Sequence, residues 1–128
     1  MKTRYYLIIF TAAIMTTLGA FNIAKKDEVK HIVIFKYKAS ATAEQINEVN
    51  EAFKGLKDKI PGIVSFEYGE NNSPENLNKG FKHVYLLTFK DVASRDAYLP
   101  HPEHKKFGAL LGKLNIIEEP FVIDFQPE

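Results

Sequence analysis

With 128 residues, 45% of them hydrophobic and 26% charged, the chain has the size and composition of one folded domain. A formal net charge of +1 gives no support to a nucleic-acid partner, which usually demands a basic face. The absence of cysteine excludes disulfides, thiol nucleophiles and cysteine-bound metal.

Lys2 and Arg4 precede an uncharged, mostly apolar run from Tyr5 to Ala20. The run is short for a membrane span, which takes about 20 apolar residues. Thr17 and Gly19 supply the small residues that a signal peptidase needs for a cut after Gly19. Residues 1–20 are therefore expected to be a secretory signal peptide. An uncleaved N-terminal anchor is the competing reading. Residues 21–28 follow as a polar linker, and 29–128 as the folded domain. Without the two leading cations, 15 basic and 16 acidic groups remain, a net charge of −1. The expected destination is the periplasm or the exterior, with no membrane contact after cleavage. An exported protein without disulfides must rely on its core or on oligomerisation.

Val29 to Lys38 is rich in β-branched and aromatic residues and predicts a strand. Val29, His31, Val33, Phe35 and Tyr37 share one face, with Ile32 and Ile34 on the other. A strand that is apolar on both faces needs cover on both sides. The chain's own helices supply one cover, and a second copy can supply the other. Thr42-Ala-Glu-Gln45 fits a capping box. Ile46, Val49, Phe53, Leu56 and Ile60 follow at alternating spacings of three and four, the core stripe of an amphipathic helix. Pro61-Gly62 stops that helix and turns the chain.

Ile63 to Gly69 predicts a second strand, with Ile63 and Ser65 on one face and Val64, Phe66 and Tyr68 on the other. A polar loop follows over 71–80. Phe81 to Phe89 predicts a third strand. There His83, Tyr85, Leu87 and Phe89 share a face opposite Lys82, Val84, Leu86 and Thr88. Asp91 can cap a second helix that runs to Tyr98. Pro100 and Pro102 break the helix, and a third helix begins at Pro102 with His101 at its boundary. Phe107, Leu110, Leu111 and Leu114 form the buried face of that helix. A last strand lies within Ile116–Phe125, and Pro120 suggests an edge position or the start of the strand. The order strand, helix, strand, strand, helices, strand predicts an α+β, ferredoxin-like antiparallel sheet with helices on one face.

His31 and His83 lie on the strand face that should meet the helices. Tyr98 and His104 flank the helix break. Neutral imidazole can both donate and accept, so such a group suits proton transfer. It suits ordinary interior hydrogen bonding equally well. His101 and His104 are three residues apart, but His101 precedes the helix and need not share a face with His104. No metal site and no cofactor are expected. No nucleophile elbow or glycine-rich phosphate loop occurs.

Several features, taken together in order, resemble the stress-responsive A/B barrel (Dabb) domain family. They are Val29-Lys-His31, Ile60-Pro61-Gly62, Phe81-Lys-His83, Tyr98 followed by His101-Pro-Glu-His104, Phe107-Gly108, and Phe121-Val-Ile-Asp-Phe125. The resemblance covers about Val29 to Phe125. It implies a dimer whose two sheets pack into a barrel, with Ile32, Ile34, Val84 and Leu86 facing the partner. Some members are polyketide cyclases of the olivetolic acid cyclase type, with a pocket between sheet and helices. The resemblance then implies Tyr98 and His104 as an acid-base pair, and His31 and His83 as substrate-orienting groups. A pocket tyrosine of those cyclases corresponds to Phe53 here, a departure that removes a hydroxyl.

Three functions stay open at this level. The first is binding of a small apolar or aromatic molecule in a pocket lined by Phe35, Phe53, Tyr85 and Phe107 with the His/Tyr groups. The second is a lyase or cyclase using Tyr98 and His104. The third is a structural dimer with no open pocket.

Overall fold

A computed structural model describes residues 27–128. The expected signal peptide and most of the linker lie outside the described residues. The elements run β1 (Val29–Tyr37), α1 (Ala43–Lys59), β2 (Ile63–Glu70), β3 (His83–Phe89), α2 (Val92–Tyr98), α3 (Pro102–Leu114) and β4 (Ile117–Phe125). The sheet order is β2-β3-β1-β4, and every neighbouring pair is antiparallel. This is the ferredoxin-like α+β arrangement that the element order predicts. No described helix is long and apolar enough to cross a membrane.

Local chemistry explains the helix boundaries. At the start of α1, Thr42 Oγ1 accepts from Gln45 N–H at 3.2 Å, and Gln45 Oε1 accepts from Thr42 N–H at 3.0 Å. That reciprocal pair satisfies two donors the helix cannot. Asp91 caps α2 by accepting from Ser94 N–H at 2.8 Å. His101 caps α3, its Nδ1 accepting from Glu103 N–H at 3.1 Å, with Pro102 as the first helical residue. His101 is thus committed to the helix boundary, as its position before Pro102 implies.

The core lies between one sheet face and the helices. Val29, Val33 and Phe35 of β1 and Tyr85, Leu87 and Phe89 of β3 meet Val49, Phe53 and Leu56 of α1, with Tyr98 and Phe107 from the later helices. One face assignment needs correction. The register of β2 shifts between Ile63 and Ser65, so the strict alternation breaks there. Ile63 and Phe66 both turn to the core side, while Val64 is left 48% exposed.

The opposite sheet face is apolar and uncovered by any described helix. Ile32 stands opposite Leu86 on one side and Ile123 on the other; Ile34 stands between Val84 and Phe121. Phe121 and Ile123 are nearly half exposed.

Gly62 illustrates how tightly the turn into β2 is drawn. Its φ is +91°, and a Cβ there would come within 2.5 Å of the Ser94 Cβ. Gly62→Ala should therefore destabilise the fold by at least about 1 kcal/mol, read as a lower urea midpoint at constant slope. An unchanged midpoint would mean that the turn relaxes freely.

Candidate functional site

Beneath the α2–α3 break lies a cavity of about 220 Å³. Its walls are His31, Val33 and Phe35 from β1, Phe53 from α1, Tyr98 and Leu99 at the end of α2, His104 and Phe107 from α3, and Val122 from β4. Of the expected site residues, His31, Phe35, Phe53, Tyr98, His104 and Phe107 are therefore neighbours around one void. The walls are apolar except for two imidazoles and one phenol. Leu99 and Val122 are about half exposed, which places them toward its opening.

Each polar group is held differently. The Nδ1–H of His104 donates to the Leu99 carbonyl at 3.0 Å. A carbonyl can only accept, so this bond places a proton on Nδ1, and in the neutral ring the lone pair is then on Nε2. Pro100 and Pro102 end α2 at Tyr98, and the chain reversal that follows brings the Leu99 carbonyl to His104. The sequence break thus builds the bond.

His31 is 6% exposed, and its Nδ1 lies 2.6 Å from Asp124 Oδ1. Asp124 Oδ2 in turn accepts from the Arg95 guanidinium. Arg95 also donates through Nε to Asp96 at 2.8 Å. Sequence reasoning missed both Asp124 and Arg95. A signal existed for Asp124: a lone acid inside the apolar run Phe121-Val-Ile-Asp-Phe125. The pairing of β1 with β4, which sets His31 opposite Asp124, gives that acid its partner.

Tyr98 is 1% exposed, and its hydroxyl has no hydrogen-bond partner among the described residues. Burial pushes its ionisation well above the ordinary tyrosine range, and the negative charge of Asp124 adds to that. The hydroxyl therefore stays protonated and can donate. Its ring lies 4.2 Å from the His104 ring and 5.8 Å from the His31 ring, centre to centre. No hydrogen bond joins Tyr98 to His104, so the two present their polar atoms separately.

Residues 29–127 match the stress responsive A/B barrel domain, covering nearly all of the described fold. The chain belongs to this Dabb family. It is 29% identical over 102 residues to the stress-response A/B barrel domain-containing protein HS1 of Arabidopsis thaliana, spanning 80% of this chain and 92% of that protein. It is 27% identical over 99 residues to olivetolic acid cyclase of Cannabis sativa, spanning 77% of this chain and 96% of the cyclase. Among solved structures it is similar to a dimeric ferredoxin-like protein of unknown function from Jannaschia sp. CCS1. The TM-score there is 0.67 at 27% identity, over 78% of this chain and 99% of that one.

In this Dabb domain His83 and Tyr85 do not line the cavity, contrary to expectation. Register is the reason. His31 stands opposite Leu87, whereas His83 stands opposite Phe35, four residues along β1. At about 3.3 Å per residue that separates the two histidines by roughly 13 Å. His83 packs edge-on against Tyr37 at 4.7 Å instead. Tyr85 is fully buried beneath Phe53; its hydroxyl donates to Asn50 Oδ1 at 2.6 Å and accepts from Tyr37 at 2.9 Å. These groups satisfy one another away from the cavity.

Burial holds the His83 imidazolium below its ordinary 6.5, against the attraction of Glu70. The unfolded chain therefore takes up this proton first as pH falls. The contribution is fully present above about 6.5 and is lost as pH falls through the lower folded value. His83→Gln should flatten the acid-side slope of stability in urea titrations run across that window. An identical slope in the variant would assign the pH dependence to other groups.

Proposed function

We propose that this Dabb-domain protein is an exported homodimer that binds a small, largely apolar molecule in the cavity of each subunit. The observation that carries the binding reading is the cavity itself: an apolar chamber into which Tyr98, His104 and His31 bring polar groups not fully used by the fold. A void with a few convergent polar groups is the usual form of a small-molecule site. The cavity also speaks against a structural dimer with no open pocket.

Pairing is supported by the uncovered sheet face and by the dimeric state of the Jannaschia relative. The interface would use Ile32, Ile34, Val84 and Leu86, extended by Phe121 and Ile123. Export is supported by the pattern from Lys2 to Gly19. N-terminal sequencing of the protein recovered outside the cytoplasm should begin at Ala20 or Phe21, whereas a chain still starting at Met1 would favour the anchor.

The binding reading is tested by thermal unfolding of the full chain against a panel of small neutral aromatic compounds. A ligand at a hundredfold excess over its Kd should add about 2.7 kcal/mol, a shift of several degrees for a domain this size. Val122→Trp, which fills the mouth from a half-exposed position, should abolish the shift. No shift with any compound, or a shift that survives Val122→Trp, would sink the reading.

A second reading, a lyase or cyclase, is favoured by one observation. With Nδ1 bonded to Leu99, a neutral His104 keeps its lone pair on Nε2, and the nearby Tyr98 hydroxyl stays protonated, the inventory of a base and an acid. A substrate would have to bridge them, since they do not touch each other through polar atoms. Similarity to olivetolic acid cyclase is consistent with it. Exchange of a ligand C–H into deuterated water, lost in His104→Gln, would establish proton abstraction; binding without exchange would leave the protein a binder.

A further inference from the structure

We propose that the cavity selects neutral, hydrogen-bond-donating ligands, and that Arg95 imposes this from outside by holding Asp124 and His31 so that His31 serves as a lone-pair acceptor. The inference rests on the cavity being a binding site. Nothing in the sequence pattern marks Arg95 for this role; its place in the fold does.

Asp124 links Arg95 to the cavity wall. Its two carboxylate oxygens are divided, Oδ1 to His31 Nδ1 and Oδ2 to the Arg95 guanidinium. A carboxylate beside an imidazole normally favours the imidazolium. Here Arg95 also holds Asp124, so the carboxylate already has a cationic partner and the ring need not be charged to pair with it. The remaining surroundings of His31 are uncharged: Phe89 on β3 at 5.9 Å and Tyr98 on α2 at 5.8 Å. Asp96 shares Arg95, but its side chain is 62% exposed and its field is screened by water. Neutral His31 must then carry its proton on Nδ1, toward Asp124, leaving the lone pair on Nε2.

A neutral His104 has the same tautomer by a different route, its Nδ1–H held by Leu99. The cavity therefore offers two imidazole acceptors and one hydroxyl, with no cation and no carboxylate among its lining residues. A hydroxyl or N–H on a neutral apolar ligand can satisfy either lone pair. An anion meets acceptors, with Asp124 behind one of them. Arg95 lies outside this lining. It belongs to a separate surface cleft with Val29, Val92, Asp124, Phe125 and Gln126, so it acts on the cavity only through Asp124.

The test combines nitrogen-15 NMR of the histidine rings with calorimetric titration of the full chain using phenol, anisole and benzoate. Wild-type His31 should show a neutral ring protonated on Nδ1. Phenol should bind about tenfold more tightly than anisole or benzoate, the worth of one good hydrogen bond. Arg95→Gln should convert His31 to the imidazolium, reverse the preference toward benzoate by about tenfold, and leave His104 unchanged. Arg95→Lys, which keeps the charge, should restore the wild-type order; a structural role alone would not move the ring signals in this pattern. An imidazolium at wild-type His31 overturns the proposal. So does an Arg95→Gln variant that binds probes with unchanged order and unchanged ring state. If the rings behave as stated but no probe binds any form, the cavity reading has failed and the selectivity falls with it, while the Arg95 arrangement stands.

Discussion

Ile34→Asp should turn the protein into a monomer at micromolar concentration while leaving its helical signal intact. Ile34 sits mid-sheet on the uncovered face, between Val84 and Phe121, and takes no part in the core beneath the helices. In a two-fold dimer one substitution appears twice. Losing two buried isoleucines forfeits about 3–6 kcal/mol, and desolvating two carboxylates adds several more. A loss of only 5 kcal/mol already exceeds three orders of magnitude in Kd. Sedimentation velocity reads the outcome directly. A variant that still sediments as a dimer would place the interface elsewhere.

Phe53→Ala should cost about 3–5 kcal/mol of stability. Its ring is 1% exposed and lies 4.5 Å from Phe107, 5.0 Å from Tyr85, 5.3 Å from Phe66 and 6.4 Å from Phe35. It joins α1 to α3 and to both central strands, and no small movement of one neighbour can refill its place. Since domains of this kind are stable by about 5–15 kcal/mol, the variant should lose a large share of its margin. The urea midpoint should fall at nearly constant slope. A loss under about 1 kcal/mol would mean that the surrounding rings collapse into the gap. Phe53 also lines the cavity, so the same variant should bind bulkier compounds where it remains folded.

The elements were readable because their signals are local. Thr42 and Gln45 cap each other across three residues, Pro102 opens α3, and β-branched and aromatic residues mark β1 and β3. Alternation also separated the two faces of β1 correctly, which placed Ile32 and Ile34 away from the helices. Position along a strand is another matter. Alternation says which face a residue takes, not how far along it sits, and His83 landed beside Tyr37 because β3 pairs with β1 in a register that only the folded sheet sets. The shift in β2 failed for a related reason. One extra residue at Val64 reverses the face of everything after it, and no turn former announces it. Asp124 and Arg95 were missed because their partners are remote: His31 and Asp124 are 93 residues apart, and Arg95 and Asp124 are 29 apart.

Tyr98 and His104 show the same limit within one short stretch. The family resemblance implied that they act as an acid-base pair. The fold sets their rings against each other at a 40° tilt with no hydrogen bond between them, and gives His104 to the Leu99 carbonyl. What the break builds is a corner of the cavity wall, with a proton fixed on one side of an imidazole. That detail depends on a backbone carbonyl, which no side-chain motif can announce.

The central claim is that each subunit of a dimer holds a small molecule in this cavity. Native mass spectrometry of the protein purified from its own host tests both parts together. The expected result is twice the mass of the chain plus small organic molecules, up to one per subunit, released on collisional heating. A bare monomer, or a dimer that is empty in every charge state, would contradict it.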